Sequence, residues 1–145
     1  MNNENINSEC NLAIFASGTG SNFINIYNNT TSGEILGKVK LLISNNPRCK
    51  AIEFAKENNI SYEIINKSRF PDSGHVEKTI LQVLDNNNID LIILAGYMKK
   101  IPKGVIEKYN KTIMNIHPAL LPKFGGKGFY GMNVHEAVIL SLIHI

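Results

Sequence analysis

The sequence predicts an α/β fold, a doubly wound parallel sheet with helices on both faces. Short, continuous apolar runs alternate along the chain with segments that repeat apolar residues at helical spacing. The run LAIFA (12–16) is continuous and lacks the alternation of a half-exposed strand, which is typical of a strand buried on both faces. Turn-forming Gly, Asn or Pro residues follow the apolar runs closely. Because strands and helices alternate, a parallel sheet is favoured.

Five apolar runs are the predicted strands. Each is short enough for a strand and too short for a buried helix. The fourth run, LIILA, has the strongest signal of burial. In chain order they are Leu12–Ala16, Val39–Ile43, Tyr62–Ile65, Leu91–Ala95 and Ile113–Ile116.

Four helices are predicted between these strands. The first covers Ser21–Asn28, with Ser21 as a candidate N-cap. The other three are marked by apolar spacing that begins near Ala51, Val76 and Val105. In a doubly wound sheet, ligands bind beyond the carboxyl ends of the strands, near the point where strand order reverses. Residues that directly follow a strand are therefore the candidates for function.

Composition and charge exclude several classes of protein. The chain has 145 residues, 43% hydrophobic and 19% charged, which indicates one globular domain. A net charge of +3 with scattered lysines gives no indication of nucleic acid binding. No apolar run reaches the roughly 18 residues of a membrane span, and the polar start MNNENINSEC favours a cytoplasmic protein. Cys10 and Cys49 have no metal-ligand spacing, so we expect free thiols and no bound metal.

The loop Ser17–Asn22 joins the first strand to the first helix and contains two glycines. Glycines let backbone N–H groups approach an anion, and a helix N-terminus adds a favourable dipole. The loop is no dinucleotide fingerprint, because Phe23 stands where the third glycine belongs, and it is no Walker A loop. A phosphate site and a tight turn without ligand both remain open. If phosphate binds, we expect Gly20→Val to block it while the fold survives.

Asn115 and His117 lie at the end of the fifth strand, in the string NIHP. Residues two apart on a strand point to the same side, so an amide and an imidazole would meet at the ligand-binding rim. An imidazole can move a proton near neutral pH, and an amide can donate a hydrogen bond to a developing oxyanion. A purely structural histidine is the alternative explanation.

Four strings of the chain occur in the order of one known family. They are ASGTGSNF (16–23), LISNNP (42–47), LAGYMKKIP (94–102) and NIHPALLPKFGGKG (115–128). Together they resemble the phosphoribosylglycinamide formyltransferases, over residues 11–139. The resemblance implies a Rossmann-like formyltransferase fold, with a polar extension at 1–10 and an anomalous tail at 140–145. It also implies formyl transfer from the co-substrate 10-formyltetrahydrofolate to the amine of glycinamide ribonucleotide, in purine biosynthesis.

The same resemblance implies roles for individual residues. The substrate phosphate would bind at Gly20, Ser21, Asn22, Phe23 and Ile24. The folate would bind at Met98, Lys99, Lys100, Ile101 and Asn115. In catalysis, Asn115 would stabilise the oxyanion, and His117 would donate the proton. No metal is needed.

The chain departs from the family in two places. Many members carry a folate-contacting arginine at the position of Ser73, and the nearest arginine here is Arg69, so that role is not assigned. The family also continues through further strands, which contain an aspartate that orients the histidine. We therefore expect a chain that lacks its C-terminal part and is poorly soluble and inactive by itself.

Two alternatives stay open from the sequence. The first is a sister enzyme of formyl-folate, either formyltetrahydrofolate hydrolase or methionyl-tRNA formyltransferase. The strings SGTGSN and LAGYM favour the glycinamide ribonucleotide branch over the tRNA enzyme. The second is a non-catalytic module that binds a nucleotide phosphate and gives His117 no role. The oligomeric state is also open.

Overall fold

The computed structural model describes residues 10–116. This part of the chain forms nine elements that alternate between strand and helix. The strands are β1 Cys10–Phe15, β2 Gly37–Ser44, β3 Ser61–Ile64, β4 Leu91–Ala95 and β5 Ile113–Ile116. The helices are α1 Ser21–Thr31, α2 Lys50–Glu57, α3 Ser73–Asn86 and α4 Lys103–Lys108. All nine predicted elements are present, and β4 and β5 have the predicted bounds.

The five strands form one parallel sheet in the order β3-β2-β1-β4-β5. From the central β1 the chain builds outward to β3, then returns to the other side of β1 with β4 and β5. Strand order reverses between β1 and β4, so the loops after these two strands diverge at the carboxyl edge of the sheet. The predicted doubly wound α/β class is confirmed.

Both faces of the sheet are covered by helices. On one face, Leu12 of β1 packs in a cluster with Phe23 of α1 and Ile52 of α2. On the other face, Phe15 belongs to a second cluster with Ile80 of α3, which α4 joins. Side chains alternate along a strand, so two apolar layers need the continuous apolar runs found in the sequence. Within residues 10–116 no helix is both long and apolar enough to cross a membrane.

The ends of α1 differ from the prediction. Ser21 is its first helical residue and Gly20 is its N-cap, so no side chain caps this helix. Gly20 fits that place because its φ of 77° lies in the left-handed region. At the other end, α1 runs beyond Asn28 to Thr31, whose hydroxyl donates to the Tyr27 carbonyl at 2.9 Å. That bond occupies an acceptor in the last turn and supports the longer helix.

Candidate active site

The loop after β1 leads directly into α1 at the carboxyl edge of the sheet. Gly18 and Thr19 are exposed, whereas Gly20 is buried. The Ile24 N–H donates to the Gly20 carbonyl at 2.7 Å and closes the first turn of α1. The N–H groups that precede Ile24 in this turn have no partner within the helix, and no side chain caps them. These groups can donate to an anion, and the helix dipole favours one.

Gly20 is required for helix packing. A Cβ at this position would lie 2.9 Å from the Cβ of Ala51, in the first turn of α2. The positive φ adds a second cost for any other residue. The expectation that the fold tolerates valine at position 20 is therefore wrong, because the side chain would meet α2. A Cβ at Gly18, in contrast, would meet nothing within 4 Å.

A cavity of about 660 Å³ lies beside the segment between β4 and α4. Its walls come from residues 65–67, 70 and 71, from the first turns of α3, and from Tyr97 and residues 99–103. Apolar side chains contribute to the lining, among them Phe70, Val76, Ile80 and Ile101. Four lysines also line it, Lys67, Lys99, Lys100 and Lys103. An apolar wall with nearby cations suits a ligand that has a flat apolar body and an anionic group.

Two contacts hold the walls of this cavity together. The ring of Tyr97 packs edge-to-face against Phe15, with 5.2 Å between the centroids. Burial raises the pKa of Tyr97 to about 12, so the phenol is neutral at physiological pH. Glu77 of α3 accepts a hydrogen bond from the Gly104 N–H in the first turn of α4, at 2.7 Å. A carboxylate at a helix N-terminus is favourable, so this bond fastens α4 to α3.

Ser17 connects the loop after β1 with its neighbours on both sides. Its hydroxyl donates to the side-chain oxygen of Asn45, which follows β2. The same hydroxyl accepts from the Met98 N–H, after β4, at 2.8 Å. The side-chain amide of Asn66, which lies after β3, donates to the backbone carbonyl of Asn45 at 3.1 Å. A line of hydrogen bonds thus joins the loops that follow four neighbouring strands.

Asn115 lies on β5 and is half-buried. It pairs with Leu94 of β4, which belongs to the apolar cluster beneath α3 and α4. Because paired residues of neighbouring strands share a face, Asn115 faces the side of the sheet that carries the cavity. His117, the second predicted catalytic residue, lies outside the described residues.

Comparison with known proteins points to one protein family. The sequence profile of the formyl transferase family matches residues 10–141. The chain belongs to the formyl transferase family. It is 44% identical over 131 residues to phosphoribosylglycinamide formyltransferase, chloroplastic, of Arabidopsis thaliana, a match that covers 90% of this chain and 45% of the plant protein. The corresponding protein of Vigna unguiculata is 41% identical over 130 residues, covering 90% of this chain and 42% of that protein.

A solved structure shares the family fold. Glycinamide ribonucleotide transformylase 1 of Geobacillus kaustophilus superposes with a TM-score of 0.77 and 38% identity, covering 84% of this chain and 65% of that protein. The chain thus spans less than half the length of the two plant relatives, and about two-thirds of the bacterial chain. The formyltransferase fold expected from the resemblance is confirmed.

The residues predicted for folate binding divide into two groups in this family member. Lys99, Lys100 and Ile101 line the cavity. Met98 is not part of this lining; its side chain is 79% exposed, and its backbone N–H donates to the Ser17 hydroxyl. Ser73, at the position of the family's arginine, is also part of the lining.

The residues predicted for phosphate binding all lie in or beside the first turn of α1. Ser21 is exposed and Asn22 is half-buried, so both side chains can reach a ligand. Phe23 is fully buried in the core and can offer only its backbone. Within residues 10–116 no group of three His, Cys, Asp or Glu side chains is placed to hold a metal ion.

Three contributions to the site were not predicted from the sequence. Phe70 was not predicted, and Tyr97 was expected only as one of the candidate residues that follow a strand, with no role assigned to it. The tether through Ser17 has no local signal, because its two partners are 28 and 81 residues away along the chain.

Proposed function

We propose that the full-length protein transfers a formyl group from 10-formyltetrahydrofolate to the amine of glycinamide ribonucleotide. The observation that carries this proposal is the placement of two different binding features around one switch point. An uncapped helix start that suits a phosphate follows β1. The cavity that suits a folate borders the segment after β4, the strand beside β1. The two plant relatives and the bacterial structure support the same activity.

The ribonucleotide phosphate binds at the start of α1. Backbone N–H groups of Ser21, Asn22 and Phe23 precede the first bonded turn and can converge on phosphate oxygens. Ser21 and Asn22 add side-chain donors, and Gly20 allows the sharp entry into the helix. Ile24 closes this turn through its bond to Gly20.

The folate binds in the cavity lined by Lys99, Lys100 and Ile101. Its ring system packs against the apolar wall, and the lysines attract its carboxylates. The backbone of Met98 borders this site at the side of the phosphate loop, where Ser17 holds it. The formyl group then lies toward β5, whose Asn115 is on the same face of the sheet.

The chemistry follows from the amide and the imidazole at the end of β5. The free amine of the ribonucleotide attacks the formyl carbon, and a tetrahedral intermediate with an oxyanion forms. Asn115 donates a hydrogen bond to that oxygen. The bond from the carbon to the folate nitrogen then breaks, while the attacking amine loses a proton and the departing nitrogen gains one. His117 supplies the proton donor for this exchange.

The test follows tetrahydrofolate release spectroscopically, with purified full-length protein and 10-formyltetrahydrofolate. We expect release only when glycinamide ribonucleotide is present, with formation of the formylated amide in equal amount. Release without the ribonucleotide would instead establish the hydrolase. Binding of the ribonucleotide without any release would establish a phosphate-binding module. Transfer to methionyl-tRNA and not to the ribonucleotide would establish the tRNA enzyme.

The cellular location and the absence of a metal stay predictions. Addition of a chelator to the assay above should leave turnover unchanged if the reaction uses only protein side chains. Fractionation of the source cells tests the cytoplasmic location.

A further inference from the structure

We propose that Ser17 is a positioning residue that holds the folate-binding segment against the phosphate-binding loop. The proposal rests on the function proposed above. In the proposed site, Ser17 itself contacts neither the folate nor the ribonucleotide. Its hydroxyl fixes the backbone at Met98, and Met98 begins the segment that lines the cavity through Lys99, Lys100 and Ile101.

The segment after β4 is held at its two ends: Tyr97 packs against Phe15 and Ile101 is buried in the core, and the Ser17 N–H donates to the Gly96 carbonyl at 3.2 Å. Residues 98–100, between these ends, have much less to hold them in place. The side chains of Met98, Lys99 and Lys100 are all exposed, so packing does not order them. Gly96 directly before them has a φ of 76°, which turns the chain sharply out of β4. Within the described residues 10–116, residues 97–100 make no hydrogen bond other than the one from Met98 to Ser17. This bond is therefore the polar tether of residues 98–100.

The Ser17 hydroxyl is oriented for this task by its other partner. A hydroxyl has one hydrogen to donate and lone pairs that accept. The hydrogen is committed to the Asn45 side chain, and Asn66 holds the backbone of Asn45 in turn. A lone pair is then left to face the Met98 N–H. Ser17 is buried, so water does not compete freely for these bonds.

Loss of the Ser17 hydroxyl should weaken folate binding and leave the rate of the chemical step almost unchanged. In the Ser17→Ala variant the Met98 N–H loses its partner, and residues 98–100 sample more conformations. The folate must then order them, which weakens ground-state and transition-state binding alike. We expect the KM for 10-formyltetrahydrofolate to rise about tenfold, the loss of roughly one hydrogen bond. The kcat and the KM for the ribonucleotide should stay within about twofold.

Three further variants of the full-length protein make the test specific. Ser17→Thr keeps a hydroxyl and should restore the folate KM. Asn45→Ala removes the partner that orients Ser17 and should raise the folate KM, without adding to the effect of Ser17→Ala. Ser32→Ala is the matched control, because its hydroxyl donates to the Asn29 carbonyl at 3.2 Å at the C-terminal end of α1, away from the site. It should leave the folate KM unchanged.

Hydrogen exchange at the Met98 amide gives a readout that needs no turnover. Loss of the Ser17 hydroxyl should speed this exchange about tenfold and leave the amides of β1 unaffected. A Ser17→Ala protein with wild-type folate KM and wild-type Met98 exchange would overturn the proposal. So would an equal change of both KM values with a lower Tm, because that pattern indicates general destabilisation. If the wild-type protein transfers no formyl group, the proposed function fails, and Met98 exchange alone then decides whether Ser17 is the tether.

Discussion

Packing against α2 and the turn into α1 both require glycine at position 20. We expect Gly20→Ala to lower the free energy of unfolding by about 2–4 kcal/mol, because the left-handed φ and the contact with Ala51 both disfavour a Cβ. Gly18→Ala is the control, since its Cβ would meet nothing within 4 Å, and it should change stability by less than about 0.5 kcal/mol. Urea denaturation of both variants measures this. Equal stabilities would contradict the packing role.

Asn115 and His117 carry the sharpest prediction about catalysis. In the full-length protein we expect His117→Asn to lower single-turnover rates by at least about 10²-fold, because it removes a general acid. Asn115→Ala should lower them by a comparable factor through the lost oxyanion donor. Substrate affinities should change little, and the two losses should not add if the residues act as a unit. Normal turnover with a lower Tm would instead mean that these residues are structural.

Individual site residues were predictable only where position alone determines their surroundings. The place of Asn115 on β5 was predictable because the strand is marked by its apolar neighbours, while its role stays a prediction. The N-cap of α1 was not, because the choice between Ser21 and Gly20 depends on how closely α2 approaches. Ser17 was placed only in the loop after the first strand, since its bonds to Asn45 and Met98 depend on partners brought in by the sheet order.

Elements were predicted better than their ends. The continuous apolar runs Leu12–Ala16 and Leu91–Ala95 predicted β1 and β4, because burial on both faces leaves few polar positions in these strands. Ends moved by a few residues where pairing or capping decided them, as at β2, which begins at Gly37 because this residue pairs with Cys10. The cavity between α3 and the segment 97–103 was not predictable, because it depends on how two separate elements pack.

Tyr97, in the connection between β4 and α4, gives an alkaline dependence of stability. Burial raises its pKa to about 12, above the value of an exposed tyrosine. Above pH 10 the unfolded chain therefore releases this proton first, and stability falls by about 1–3 kcal/mol as pH rises through the folded pKa. Below pH 10 the contribution of the neutral Tyr97 phenol to the free energy of unfolding is fully present.

Denaturation of wild type and Tyr97→Phe between pH 8 and pH 12 measures this effect. The phenylalanine keeps the contact with Phe15 and lacks the titrating group, so it should show a smaller alkaline loss. Some loss should remain, because burial, aided by the charges of Asp85 and Asp90, also raises the pKa of Tyr109. Identical pH profiles for the two proteins would show that Tyr97 does not contribute.

At the scale of the whole molecule, the sequence determines a sheet order that brings the two binding features together. β1 is central, and the chain leaves it to one side and then the other. The phosphate loop opens α1 on one face, and the cavity lies under α3 and α4 on the other. Under the proposed function, two ligands would approach one reaction centre from the two faces, which suits a group transfer.

The same sheet order leaves β5 at an edge of the described part. Within residues 10–116 this strand pairs with β4 alone, and all four of its residues are only half-buried. Unpaired strand edges with apolar side chains such as Ile113 and Ile116 favour association. If a segment of the protein beyond the described residues pairs with β5, a chain without that segment has this edge open.

We therefore expect the peptide 1–145 to self-associate and to lack transfer activity, whereas the full-length protein gives a defined species and turns over. Light scattering coupled to size-exclusion chromatography measures the association, and the formyl transfer assay measures the activity. Ile116→Lys in the peptide should reduce association, because a charge at an edge strand opposes edge-to-edge pairing. A peptide 1–145 that is a monodisperse monomer, melts cooperatively and turns over at the full-length rate would show that the β5 edge needs no cover. The aspartate that the family carries in its later strands would then be unnecessary for the chemistry.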